Sequence, residues 1–327
     1  MNLVEIINRF PTEIDAIKYF ESIRWKKGIK CPYCYSEKIG SRNIDNRWHC
    51  KECKKTFFVT TKTNLNRTHI SLRTWLMSFA LITDAKKGVS ALQLKRNLGL
   101  NYETAFNMEH KIRDLMSIEN KEIKLKGVVE MDETYVGGKP RKFADYSCFR
   151  KNERKELDDI LDNLTEKGFK IKEGSRKVVC DKKIKRGRGS EKKTPVTGIV
   201  SRDGEVVAEV MKHLTSDDLK AMILKYVNTN KSVLFTDDFK GYNKKIDNII
   251  EHVKIDHHKM FSYRGINTNT IESFWAFIKR QIMGQHHHVS VKYLPKYVAE
   301  TVFKFNNRNK DDMFETLLEL SMLEKNT

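Results

Sequence analysis

Apolar residues recur at helical spacing through the first 25 positions: Val4, Ile6, Ile7 and Phe10, then Ile14, Ile17, Tyr19 and Phe20, with Pro11-Thr12 between the runs. This spacing predicts two short helices. From Cys31 to about Thr61 the periodicity gives way to Cys, Lys, aromatic residues and turn formers, which suits a small strand-rich module with too few apolar residues for a core of its own. Helical spacing returns over 65–118, with Leu72, Trp75, Leu76, Phe79, Ala80 and Ile82 on one stripe. Within that region Ser90 can cap a helix through Leu98, Gly99 supplies a turn, and Asn101 can cap a second helix to Met116. That is the layout of a helix-turn-helix, whose second helix would present Tyr102, Glu103, Thr104, Asn107, His110, Lys111 and Arg113 outward. Any helical hairpin shares the pattern.

Beyond residue 122 the period changes. Val128 to Tyr135 is β-rich, and Pro195–Val200 with Glu205–Met211 flank Arg202-Asp203-Gly204, a hairpin signal. Ser216–Val227 is helical, Val233-Leu234-Phe235 is a short strand ending at Thr236-Asp237-Asp238, and Asn269–Gln281 and Val291–Phe305 are helices. The alternation describes an α/β domain over 123–310. Residues 141–193 interrupt it with eighteen Lys/Arg against ten Asp/Glu, and Leu157, Ile160, Leu161 and Leu164 predict a helix inside the interruption. The expected organisation is 1–61, 62–122, 123–310 and a helical C-terminal tail over 311–327.

The 327-residue chain is 39% hydrophobic and 10% aromatic with five prolines, which argues for a folded protein. No run approaches the roughly 18 apolar residues of a membrane span. Membrane insertion and secretion are therefore not expected; the expected location is cytoplasmic, nucleoid-associated in a bacterium. The net charge of +19 changes the picture more. It favours polyanionic partners, and double-stranded DNA is the expected one.

Four of the six cysteines form Cys31-Pro-Tyr-Cys34 and Cys50-Lys-Glu-Cys53, while Cys148 and Cys180 stand apart. Two such knuckles supply four thiolates to one tetrahedral Zn²⁺ with no open position, so the expected ion is structural. Arg47, Lys54 and Lys55 are candidate DNA contacts around it. Trp48, Phe57 and Phe58 serve equally well as packing for the ribbon.

Asp132 ends one strand, Asp237 ends another, and Glu272 lies on a helix. Three converging carboxylates repel unless divalent cations lie among them, and hard oxygen donors select Mg²⁺ or Mn²⁺. Two such ions can drive an in-line phosphoryl displacement. Glu133 and Asp238 are adjacent competitors, expected to point to the opposite side of their strand ends.

The runs Met131-Asp-Glu-Thr-Tyr-Val-Gly-Gly-Lys139, Thr236-Asp-Asp-Phe-Lys-Gly-Tyr242, Thr268-Asn-Thr-Ile-Glu-Ser-Phe-Trp-Ala-Phe-Ile-Lys-Arg280 and Gly284-Gln-His-His-His-Val-Ser290 resemble those of zinc-ribbon insertion-sequence transposases with a DDE domain, the ISXO-like group. The resemblance implies an RNase H-like integrase domain in which Asp132, Asp237 and Glu272 hold two metal ions, with Asn269 as a fallback for part of the Glu272 role. Lys279, seven residues after Glu272 and so on the same helix face, is implied as a catalytic phosphate contact, with Arg280 as its substitute. His287 matches a family histidine and is read as a phosphate or structural contact, with a His286–His288 metal site as the other reading; His257 matches another. Asn267 stands where many members carry histidine. Further DNA contacts are expected from Asn107 and Lys111 and from the basic positions Lys139, Lys185, Arg186 and Arg188.

The implied function is a transposase that binds its element's terminal inverted repeats as a homo-oligomer on paired ends, cleaves, and joins the 3′-OH to target DNA. The competing functions are a zinc-ribbon and helix-turn-helix regulator, an inactive domesticated descendant, and a nuclease of the same fold. The regulator has no use for three spaced acids beside a lysine.

Overall fold

The structure is a computed structural model that describes residues 1–42, 44–119, 123–137, 151–167, 193–237, 241–242, 244–255, 268–310 and 312–325. It divides into two units, Met1–Thr134 with Pro195–Thr327, and Tyr135–Thr194. In the second unit the described helix is α6, Lys151–Glu166, where the apolar spacing predicts one. Lys139, Cys148, Cys180, Lys185, Arg186, Arg188, Asp238, His257 and Asn267 lie outside the described residues.

At the start of the first unit, α1 (Leu3–Arg9) and α2 (Glu13–Arg24) each open on a reciprocal capping box, Asn2 with Glu5 and Thr12 with Asp15. The side chain at the cap and the one three residues later satisfy each other's backbone N–H, which fixes both starts locally. The antiparallel strands β1 (Ile39–Arg42), β2 (Arg47–Cys50) and β3 (Thr56–Phe57) follow. Then come α3 (Leu72–Asp84), α4 (Ala91–Leu98) and α5 (Tyr102–Glu119). Ser90 caps α4, Gly99 ends it at φ 65° in the left-handed region, and Asn101 Oδ1 accepts from the Thr104 N–H to start α5.

The apolar stripe of α3 is buried as the spacing predicts, together with Ile6, Phe20, Ala105, Met108 and Ile112. Into the same core go Phe314, Leu317, Leu318 and Met322 of α11 (Met313–Met322). The segment read from sequence as a C-terminal tail thus completes the N-terminal helical core. Helix α11 packs against α2, α3 and α5.

Helix α5 corrects one expectation. His110 and Arg113 do not face outward; they are 5% and 1% exposed. The reason is α10 (Leu294–Asn306), which lies along α5 and brings Glu300 to Arg113, Nε to Oε2 at 2.8 Å. Arg113 also pairs with Glu109, and Lys304 donates to Glu300 at 2.7 Å and to the Ala85 carbonyl at 2.9 Å. Burial raises Glu300, but Lys304 and Arg113 outweigh it and bring the carboxyl down to about 2. Burial lifts the Glu109 carboxyl to about 7 despite the Arg113 guanidinium beside it, so Glu300 carries the firm negative charge against Arg113 and Lys304, an arrangement that is costly to break from one side.

The α/β part is a five-stranded sheet in the order β6-β5-β4-β7-β8. Its strands are β4 (Leu125–Val136), β5 (Thr194–Ser201), β6 (Val206–Val210), β7 (Val227–Asp237) and β8 (Glu251–Ile255). Strands β5 and β6 form the predicted hairpin, whereas β4, β7 and β8 run parallel. Strand β8 and the first half of β7 had no signal in the apolar pattern. Their exposed positions interrupt it.

One sheet face carries Val129, Met131, Ile199, Val207 and Leu234 against Leu219, Met222, Ile223 and Tyr226 of α7 (Ser216–Tyr226). The short helix α8 (Lys244–Asp247) adds Ile246. The other face receives α9 (Asn269–Arg280), whose register continues into a π-helical turn, Gln281–His286.

Candidate active site

Strand alternation puts Glu130 and Asp132 on the face of β4 that receives α9, because side chains two apart share a face. Glu130 is fully buried and accepts from the backbone N–H groups of Thr270 and Ile271 at 2.9 and 3.1 Å. Thr268, at the helix cap, makes no side-chain capping bond, so a carboxylate from the sheet satisfies the first turn of α9 and sits at the positive end of its dipole. Arg202 balances that charge, Nε to Oε1 at 3.0 Å.

Helix α9 lies close because Gly198 leaves room. A Cβ there would stand 2.7 Å from Trp275 Cη2. The indole Nε1 donates to Asp132 Oδ2 at 2.9 Å. Glu130, Gly198 and Trp275 therefore set where α9, and with it Glu272, stands relative to Asp132. The sequence reading missed all three; the period-two relation of Glu130 to Asp132 and the one-turn relation of Trp275 to Glu272 were the available signals.

The β4–β7 register pairs Met131 with Thr236, so Asp132 and Asp237 come next at the ends of adjacent parallel strands. Ligand atoms of Asp132, Glu133 and Asp237 lie within 4.8 Å of one another. Burial lifts Asp132 to about 6; a hydrogen bond from the Glu133 backbone and the Trp275 indole oppose the rise, while Asp237 and Glu272 add to it. Glu272 is exposed on α9, one turn from Trp275. It faces the same field without belonging to the tight cluster.

Glu133 needs a correction. It was expected to stand apart, and it does take the opposite strand face, where the buried Tyr242 hydroxyl donates to its Oε2 at 3.1 Å. At the strand end, however, its carboxylate still reaches the Asp132–Asp237 group. Lys279 and Arg280 are both exposed at the end of α9, and His287 is exposed just past the π-helical turn with φ 57°. His286 is part-buried with its ring edge-on to Tyr297, 4.7 Å between centroids, rather than grouped with its neighbours around a metal.

In the ribbon, the Cys31 and Cys53 sulfurs are 3.6 Å apart, as are those of Cys34 and Cys50. All four sulfurs lie within 4.8 Å of one another. Sulfurs around one tetrahedral zinc with ~2.3 Å bonds stand about 3.8 Å apart, so the donor set fits that ion. The accompanying core is small: Phe57 with Trp25 and Trp48, whose Nε1 donates to Glu21 at 2.6 Å. Trp48 and Phe57 thus pack the ribbon. Arg47, Lys54 and Lys55 are exposed, and Lys55 and Lys62 both lie over the Tyr33 ring, at 4.6 and 5.2 Å. On α5, Asn107 is exposed, while Lys111 is half-buried over Trp75.

Comparison with known families bears on both centres. Residues 11–56, which hold all four cysteines, match the transposase zinc-ribbon domain, and residues 171–306, which hold Asp237 and Glu272, match the ISXO2-like transposase domain. These two segments are similar to the two domains of zinc-ribbon insertion-sequence transposases. Asp132 precedes the matched residues 171–306, and the sheet register sets it beside Asp237, which lies within them. A curated relative, described as "Uncharacterized protein in transposable element ISH50" from Halobacterium salinarum, is 32% identical over 133 residues. The match covers 40% of the transposase-like chain and 44% of the relative, so the chain spans less than half of that relative's length. No solved structure matches. Among the described residues, no helix is long and apolar enough to cross a membrane.

Proposed function

We propose that the chain is a DNA transposase that binds the terminal inverted repeats of its own element and carries out metal-dependent strand cleavage and strand transfer. The observation that carries this reading is the pair Asp132 and Asp237 at neighbouring parallel strand ends, with Glu133 in reach and Glu272 on the helix that Glu130 and Trp275 hold against the sheet. The sheet order supports an RNase H-like domain: an antiparallel hairpin on one side of β4 and two parallel strands on the other.

The donors are all carboxylate oxygens, two from adjacent strand ends, which suits hard divalent cations such as Mg²⁺ or Mn²⁺. When bound, two such ions would supply activation of the attacking oxygen and stabilisation of the leaving one. The chain's own residues do the rest. Trp275 orients Asp132, Glu130 fixes the start of α9, and Lys279 at its exposed end contacts a DNA phosphate. Residues 1–61 and 62–122 supply end recognition, with Arg47, Lys54, Lys55, Asn107 and Lys111 as contacts; Arg280 and His287 add phosphate contacts, and two or more copies assemble on paired ends.

The test uses the inverted repeats flanking the gene as duplex substrate with Mg²⁺. Asp132→Asn and Asp237→Asn should lose cleavage and joining yet bind the ends as wild type does. Comparison of Glu272→Gln with Glu133→Gln decides the third carboxylate: the larger loss is expected for Glu272. Substantial cleavage by Asp132→Asn would overturn the assignment, and absence of inverted repeats around the gene would remove its substrate.

A further inference from the structure

A cavity of about 470 Å³ opens between α3, α9 and α10, within the ~300–1,000 Å³ range of ligand sites. Its walls combine the rings of Phe277 and Phe305 with Lys86, Arg280 and Arg308. Phe305 is held edge-on by Phe274 at 5.3 Å, and the Arg308 guanidinium stacks on it at 4.0 Å. Phe277 makes no ring contact among the described residues, and neither Arg280 nor Lys86 makes an ion pair among them. Asp84 is the one carboxylate in the lining. Lys304 in the same lining is neutralised by Glu300. Flat apolar rings beside Arg280 and Lys86, which have no ion-pair partner among the described residues, with one carboxylate acceptor, suit a planar heterocycle attached to a phosphate.

The cavity shares α9 with the acidic site. At about 100° per residue, Glu272 and Lys279 follow one edge of the exposed face of α9, and Ser273, Phe277 and Arg280 follow a line roughly 100° further round. Around a helix about 10–12 Å across these lines are on the order of 10 Å apart, about three nucleotide steps at a ~3.4 Å rise. A strand crossing the exposed face of α9 from the acidic edge therefore reaches the cavity within a few nucleotides.

We propose that this cavity receives one unstacked nucleotide of the DNA strand held at the acidic site. The inference rests on the transposase reading above. The base stacks on Phe277 and Phe305, Asp84 accepts from an exocyclic amino group, and Arg280 and Lys86 take the adjoining phosphate. Such stacking tolerates any base, because each has an aromatic face, and it costs least where the strand is already unpaired.

The test measures binding of the full zinc-loaded chain, without Mg²⁺, to a short single-stranded DNA containing 2-aminopurine and to the matching duplex. Phe277→Ala should weaken single-strand binding about tenfold and abolish the fluorescence change of the probe, with duplex binding altered less than about threefold. Phe277→Trp should restore both signals, which a merely structural loss would not allow. Arg280→Ala should reduce the salt slope of single-strand binding by about one ion. If Phe277→Ala binds and changes the probe's fluorescence as wild type does, or weakens duplex and single strand equally, the inference is overturned. Cleavage of the flanking repeats with Mg²⁺ is measured in parallel. Loss of cleavage in wild type with Phe277-dependent binding intact would sink the transposase reading alone, and cleavage without Phe277 dependence would sink the cavity alone.

Discussion

The cysteine centre and the carboxylate centre reach their ligand sets by opposite routes. In the ribbon all four donors lie within 23 consecutive residues, on two knuckles that need little beyond their own turns to aim at a common point. In the acidic site the donors come from strands over a hundred residues apart in sequence, and a buried Glu130, a Gly198 and a Trp275 are needed to bring the helix that carries Glu272 against them. The ribbon has three buried residues in its core, two of them cysteines; the sheet beneath the acids has a full apolar face against α7. A metal should therefore hold the first region together, whereas the second should fold without one and bind metal to work.

Removing zinc gives the largest expected effect, since a structural zinc of this type contributes on the order of 10 kcal/mol of apparent folding free energy. Chelation or Cys50→Ser should expose residues 30–60 to limited proteolysis and leave the sheet protected. Less than half an equivalent of zinc in protein purified without chelator would break the comparison. Removing Mg²⁺ should leave the melting temperature almost unchanged, and Asp132→Asn should lower Mg²⁺-dependent cleavage by at least ~100-fold, the scale of losing one stabiliser of transition-state charge. A protein that unfolds when Asp132 loses its charge would show that the acids are structural after all.

Gly198→Ala probes how the acidic site is built. The added methyl would stand 2.7 Å from the Trp275 ring, and overpacking of this kind costs about 1–3 kcal/mol. Melting should shift accordingly, and cleavage should fall about tenfold through kcat as the partner of Asp132 moves. Full activity at unchanged stability would mean that α9 is not held by this contact.

A smaller effect belongs to the helical core between the two centres. Burial, then the Arg113 guanidinium and the Lys296 ammonium, holds His110 at about 4. Its ring stacks on Tyr293, and neither ring nitrogen has a hydrogen-bond partner among the described residues. The unfolded chain binds this proton near pH 6.5 and the folded chain only near 4, so stability present above pH 6.5 is lost as the pH falls toward 4. The difference amounts to about 3 kcal/mol. His110→Phe should flatten the fall in melting temperature between pH 6.5 and 4 relative to wild type; parallel curves would show that the buried imidazole does not titrate in this way.

The α4–α5 turn was legible because Ser90, Gly99 and Asn101 act on neighbours three or four residues away. The outward face assigned to α5 was not. Arg113 looks like a surface cation until Glu300, 187 residues later, arrives to pair with it. Likewise Glu133 reads as a bystander on strand alternation, and only the chain end of β4 beside β7 shows its carboxylate within reach of Asp132 and Asp237.

By itself the sequence determined what short-range chemistry decides: the cysteine knuckles, the helix caps, the apolar stripe of α3, the hairpin of β5 and β6, and the acids worth suspecting. Tertiary structure alone decided which charges are buried in pairs, that α11 closes the N-terminal core, and that Glu130 starts the helix carrying Glu272. Local signals survive because a cap or a knuckle is satisfied by its own few residues. A buried carboxylate is explained only by the distant donor that offsets its desolvation, and no local pattern encodes that partner.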